Sequence, residues 1–224
     1  ALPVLKQYGS GVRALEKNSD NILSEKYDAR INGEYNDFSA QQDWSESYRN
    51  LRDVNYFFEY DMVQEENEAV TSLRGEVYFL RAWWHFSLLK NFGNVPVMDR
   101  FMDSVATVEG LQIPVTPRKE VAMFILSDLD KAIDMLSARS VWSGLRICRE
   151  AALVLAMNVA LYEGSWEKYH ADDVFAAEDA DPDLFFAEVM EYGDMLFEAM
   201  PVSAGLNTVK NDPFGAIDGG DAFA

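Results

Sequence analysis

Cysteine is almost missing from the 224 residues: Cys148 is the only one, so neither an intramolecular disulfide nor a cysteine-based zinc cluster can form. Histidine is nearly as scarce, with His85 and His170 alone, which leaves little material for imidazole-dependent catalysis. Basic residues are outnumbered, 19 against 38 acidic ones, for a net charge of −19. A field of that sign repels DNA and anionic lipid surfaces, and general nucleic-acid binding is excluded with it. No apolar run approaches the roughly 20 residues that span a bilayer. The longest candidates are interrupted by Arg81, Lys90, Asp128 and Glu163. A nucleophile elbow, a phosphate-binding glycine loop and an HExxH motif are all lacking, so no catalytic constellation is expected and the chain reads as no enzyme. No cofactor-binding or metal-ligand spacing stands out. Tyr169-His170-x-Asp172-Asp173 matches no such spacing, and Asp218-Gly219-Gly220-Asp221 lacks the closing glutamate of a calcium loop.

What is present is helical periodicity. Ser39 and Gln42 fit a capping box, after which Trp44, Tyr48, Leu51, Val54 and Phe58 recur at spacings of three and four. A second helix is expected from near Glu66, with Leu73, Val77, Leu80, Trp84 and Leu88 on one stripe and Phe79, Trp83 and Phe86 on another. Two stripes predict a helix packed on two sides. Gly93 and Pro96 should stop it. A third helix is announced by Thr116 as N-cap and Pro117 at its first position, with Val121, Phe124, Ile125, Leu129, Ala132, Ile133 and Leu136 as its buried face. A fourth is expected from about Leu145 to Tyr162, stopped by Gly164, and a fifth from Asp181-Pro182 to about Met200. The only extended piece expected is short, around Val95-Pro96-Val97-Met98. The predicted class is all-α.

The second and fourth helices resemble each other: Glu76–Ala82 aligns with Glu150–Ala156 at an offset of 74 residues. That predicts stacked helix pairs of tetratricopeptide-like character with long inserted loops, at 18–38, 97–116, 138–144 and 165–181. Arg81 is the conspicuous charge inside an apolar helix, and is expected to form an inter-helix ion pair or carbonyl clamp. At helical spacing, Trp83, Trp84, Phe86, Trp44 and Trp166 read as core, and His85 as a satisfied packing residue.

From Glu76 to Pro96 the pattern Glu76-x-x-Phe79-Leu80-Arg81-Ala82-x-x-x-Phe86-x-Leu88-x-x-x-Phe92-Gly93-x-Val95-Pro96 resembles the signature helix and turn of the SusD/RagB family of outer-membrane nutrient-binding lipoproteins. Trp44-x-x-x-Tyr48-x-x-Leu51-x-x-Val54-Asn55 is similar to the preceding family helix. Phe124-x-x-x-Asp128-Leu129-x-x-Ala132-x-x-x-Leu136 is similar to the next. Arg149-x-Ala151-Ala152-x-x-Leu155 with Val159-x-Leu161-Tyr162-x-Gly164-x-Trp166 is similar to the one after. Met157-Asn158 departs from the small residue and arginine usual there. The resemblance implies one SusD-like helical domain over 1–224, a partial one, with its repeat core at about 39–200 and with the family's C-terminal half and lipidated cysteine outside the sequence.

It also implies a function. Such a protein captures an oligosaccharide or other nutrient at the cell surface and delivers it to a SusC-type TonB-dependent transporter. Its membrane attachment is through a lipid anchor alone, and it does no bond chemistry. A scaffold of helical repeats that binds proteins and has no glycan site is the alternative. Within the sequence the 24–38 stretch mixes aromatics with planar polar side chains, the equipment for stacking on sugar rings and bridging hydroxyls. Tyr27, Arg30, Asn32, Tyr35 and Asp37 are its candidate ligand contacts.

Overall fold

A computed structural model describes residues 42–64, 67–102, 113–142 and 145–200. Five helices account for most of them: α1 (Gln42–Tyr60), α2 (Glu68–Phe92), α3 (Arg118–Met135), α4 (Arg149–Tyr169) and α5 (Pro182–Ala199). Between Asp43 and Met200 consecutive helices pack on one another, α2 on α3, α3 on α4 and α4 on α5. The stacked, all-helical arrangement expected from the periodicity is what forms. The extended piece after α2 reduces to one antiparallel bridge, Val95 with Thr116, closed by hydrogen bonds of 3.2 and 3.1 Å.

Sequence explains the helix ends, with three corrections. The second helix starts at Glu68, where Asn67 caps it by accepting the Val70 amide at 3.0 Å. It ends on Gly93, at φ 72°, a left-handed conformation that costs glycine least. Thr116 does not cap α3, because its backbone is committed to the bridge with Val95; the helix begins one residue later than expected. The Arg118 amide is satisfied from outside, by Asn94 Oδ1 at 2.9 Å. Gly164 does not stop α4, which begins at Arg149 and runs on to Tyr169. A methyl group on Gly164 would lie 3.0–3.1 Å from Phe185 and Phe186, so this glycine is the seam where α5 closes on α4. The capping box at Ser39 lies outside the described residues.

The core is continuous from Leu51 on α1 through Leu88, Leu89, Val121, Ile125, Leu129, Leu153 and Val159 to Phe185 on α5. The α3 face expected to be buried is buried, with Phe124 half-covered. The tryptophans divide. Trp84 is in the core at 9% exposure, as is Phe86 at 7%. Trp83 is half-buried, stacked on Phe79 at 6.4 Å, and Trp44 is exposed at 36%; both sit on the rim rather than inside. Leu73, placed on the buried stripe by spacing, is exposed, while its neighbour Ser72 is buried.

Candidate functional site

Three arginine–carboxylate forks fasten this stack, and two of them build the surfaces on which loops stand. Arg81 on α2 donates to Asp128 on α3 through Nε and Nη2, at 2.6 and 2.8 Å. Its remaining Nη1 donates to Asn55 Oδ1 on α1 at 3.0 Å and to the Asp99 carbonyl at 2.9 Å. The residue is thus ion pair and carbonyl clamp together, and all of it is buried, Asp128 completely. The rings of Phe58, Phe124 and Tyr78 surround the guanidinium carbon at 4.7, 5.3 and 5.4 Å. A charge taken so far from water persists because each of its three nitrogens finds an acceptor, four bonds in all.

The clamp orders the segment that leaves the Val95 bridge. Tyr48 donates to the Pro96 carbonyl at 2.9 Å and Asn55 to the Met98 carbonyl at 2.8 Å. The Met98 amide donates to His85 Nε2 at 3.1 Å, and His85 Nδ1 lies 2.9 Å from the Arg81 carbonyl. That pair of partners fixes the neutral tautomer with its proton on Nδ1. Burial holds the imidazole pKa down at about 4, from an ordinary 6.5. Because the folded value is depressed, this stability is complete above pH 6.5 and drains away as pH falls toward 4. We expect a loss of about 2–3 kcal/mol between pH 7.5 and 4.5 that is absent from His85→Gln, read as the difference in their urea-unfolding profiles.

The second fork is Arg118 on α3 with Glu163 on α4, two bonds of 2.8 Å with Glu163 fully buried. The same guanidinium lies 3.9 Å over the Trp166 ring, and His170 packs against that ring at 4.1 Å. A fixed tryptophan then anchors the α4–α5 loop by donating from Nε1 to the Phe175 carbonyl at 3.2 Å. The loop is pinned twice more, through Lys119 Nζ on the Asp179 carbonyl at 2.5 Å and through the Asp181 amide on Glu167 Oε2 at 2.6 Å. Burial pushes the Glu167 carboxyl pKa up, and its Oε1 has no partner among the described residues. The third fork, Glu76 with Arg146 at 2.7 and 2.9 Å, ties α2 to the segment entering α4.

A cleft of about 600 Å³ opens where these parts meet, between the end of α2, the start of α3, the second half of α4 and the 174–179 stretch of the loop. A second, more apolar hollow of about 680 Å³ runs beside it between α2 and α4, past Trp83, Leu155 and Tyr169. The two share Lys90, Tyr162 and Trp166. Phe175, 59% exposed, and Asn91 stand at the first cleft's edge. Trp166, expected in the core, is therefore a wall between two concavities.

All five contacts proposed from sequence, Tyr27, Arg30, Asn32, Tyr35 and Asp37, lie outside the described residues, as does the Asp218–Asp221 turn. His170 Nδ1 meets Asp173 Oδ2 at 2.6 Å, a local turn contact. Among the described residues no three His, Cys, Asp or Glu side chains gather as a metal ion would require. The forks at Arg118 and Glu76 and the cleft itself were not singled out from sequence. Glu76 and Glu163, each a charge inside an apolar helix window, share the signal of Arg81, and Glu163 already stood out as one; Arg118, between Pro117 and Lys119, has no such signal.

Stacked helices carrying loop-built concavities define an all-helical scaffold of tetratricopeptide-like form. Residues 10–161 match the family model SusD-like_3, described as starch-binding associating with outer membrane, and the chain belongs to this SusD-like family. SusD-like protein P2 of Formosa agariphila is 27% identical over 107 residues, which are 48% of this chain and 21% of that one. A SusD-like protein from Bacteroides fragilis superposes with a TM-score of 0.54 at 29% identity, over 70% of this chain and 27% of its own. A laminarin-binding SusD-like protein superposes with a TM-score of 0.50 at 23% identity, over 58% of this chain and 28% of its own. The chain thus spans about a fifth of the first relative and little more than a quarter of each structure.

Proposed function

We propose that the chain is the helical part of a surface protein that captures an oligosaccharide and hands it to a SusC-type TonB-dependent transporter at the outer membrane, where a lipid anchor holds it. The observation that carries this is the family match over residues 10–161, which takes in the helices from α1 to the first half of α4 and the 24–38 stretch. Laminarin binding by one structural relative supports a glucan-type ligand. The reading assigns no bond-making step: the work is recognition and release, at moderate affinity, since shallow polar sites gain little from apolar burial.

In this reading Tyr27 and Tyr35 supply stacking faces, while Arg30, Asn32 and Asp37 reach the sugar hydroxyls. Removing surface-loop side chains opens no core cavity. Tyr27→Ala with Tyr35→Ala is therefore expected to weaken oligosaccharide binding while the melting temperature stays put. Affinity equal to wild type in the double variant moves the contacts elsewhere. The alternative, a protein-binding helical scaffold, has only the helix stack in its favour and gains nothing from the composition of the 24–38 stretch.

A further inference from the structure

We propose that the cleft beneath the α4–α5 loop is itself a sugar-binding position, selective for uncharged oligosaccharides and built without the residues of the 24–38 stretch; the proposal rests on the glycan reading above. Its charge balance is the first observation. In a chain of net charge −19, the lining has three cations, Lys90, Arg118 and Lys119, and three anions, Glu120, Glu178 and Asp179. Counting Glu163, the buried partner of Arg118, the neighbourhood has one negative charge in excess. Arg118 is spent on Glu163, Lys119 is held by the Asp179 carbonyl, and Lys90 lies 4.5 Å over the Phe86 ring, so none of the three is set up as a paired anion clamp. A neutral polyhydroxylated ligand carries no charge for that excess to act on, whereas a uronate would be set against it and against the strongly negative protein around it.

The second observation is the kind of surface on offer. Phe175 and Phe92 bring ring surface, the first mostly exposed and the second half-buried. Asn91 is exposed, with no hydrogen-bond partner among the described residues, and Asn94 has only its Oδ1 engaged, by the Arg118 amide. Ring surface for C–H groups beside planar amides for hydroxyls is the pairing that recognises a pyranose. The walls are preorganised: the Arg118–Glu163 fork fixes Trp166, and Trp166 fixes the Phe175 backbone. Little ordering entropy is then lost on binding. The cleft volume of about 600 Å³ is enough for two or so sugar rings, and the hollow past Trp83 continues it for a longer chain.

The test is amide chemical-shift mapping on the isotopically labelled chain, titrated separately with laminarihexaose, cellohexaose, maltohexaose and a galacturonate hexamer. The proposal expects at least one neutral hexasaccharide to move the amides of 90–94, 118–120 and 174–179 saturably. Phe175→Ala with Asn91→Ala should weaken that response about ten-fold while shifts elsewhere persist. Shifts confined to 24–38 would overturn this position and leave the glycan reading standing. Preferential response of the cleft to the galacturonate would overturn its selectivity for neutral ligands. Silence from every probe across the whole chain would overturn the glycan reading and this proposal together.

Discussion

Arg81→Met is expected to destabilise the fold by about 3–5 kcal/mol, because it leaves the fully buried Asp128 carboxylate with only the more distant, half-exposed Lys131 Nζ at 3.4 Å as counter-charge. Adding Asp128→Leu should recover most of that loss, since removing both charges removes the desolvation penalty along with the attraction. Recovery should stop short by about 1–3 kcal/mol, because Asn55 Oδ1 and the Asp99 carbonyl still lack the donor that Arg81 supplied. Urea-unfolding free energies of the three proteins check this. A single variant as stable as wild type would show that the clamp is ornamental to the stack. A double variant no better than the single would place the loss in the loop bonds rather than in the stranded charge.

Trp84→Ala should cost about 3–5 kcal/mol as well, through a different mechanism. The indole is 9% exposed within the α2 core face, and its removal leaves a cavity that rigid helices close only in part. The indole N–H has no hydrogen-bond partner among the described residues. Trp84→Phe should therefore lose far less than truncation, since it gives up ring volume and an unmatched donor together. An unchanged melting temperature for Trp84→Ala would refute two-sided burial of α2. Trp83→Ala is the internal comparison: that ring is half-buried on the rim and should cost less.

The fold was legible from sequence because its determinants are local and periodic. The α3 face from Val121 to Leu136 follows directly from spacings of three and four, and Gly93 marks the end of α2 through a conformation few other residues tolerate. Arg81 was legible in kind: a buried guanidinium must find partners, although nothing local names Asp128, Asn55 and the Asp99 carbonyl as those partners. Gly164 misled for a physical reason. Glycine both ends helices and lets them touch, and only the position of Phe185 and Phe186, supplied by a later helix, decides between the two. Thr116 misled in the same way, its backbone being claimed by Val95 from twenty-one positions earlier. The cleft was invisible because it is made by the ends of α2 and α3 and the loop after α4. No periodicity within one segment reports such a meeting.

The stack and the proposed function join at one point: the clamp at Arg81 holds the segment after α2, while the fork at Arg118 holds the α4–α5 loop, so both loop supports are fixed before any ligand arrives. Binding should then show small structural change and an affinity insensitive to the core substitutions that remain folded. Isothermal titration of the chain with the neutral hexasaccharides, at pH 7.5 where His85 is neutral and the segment after α2 is intact, tests capture most directly. Saturable heat with at least one of them, abolished or weakened in the Tyr27/Tyr35 double variant, is the predicted result. A folded chain that gives no heat with any of them would contradict it.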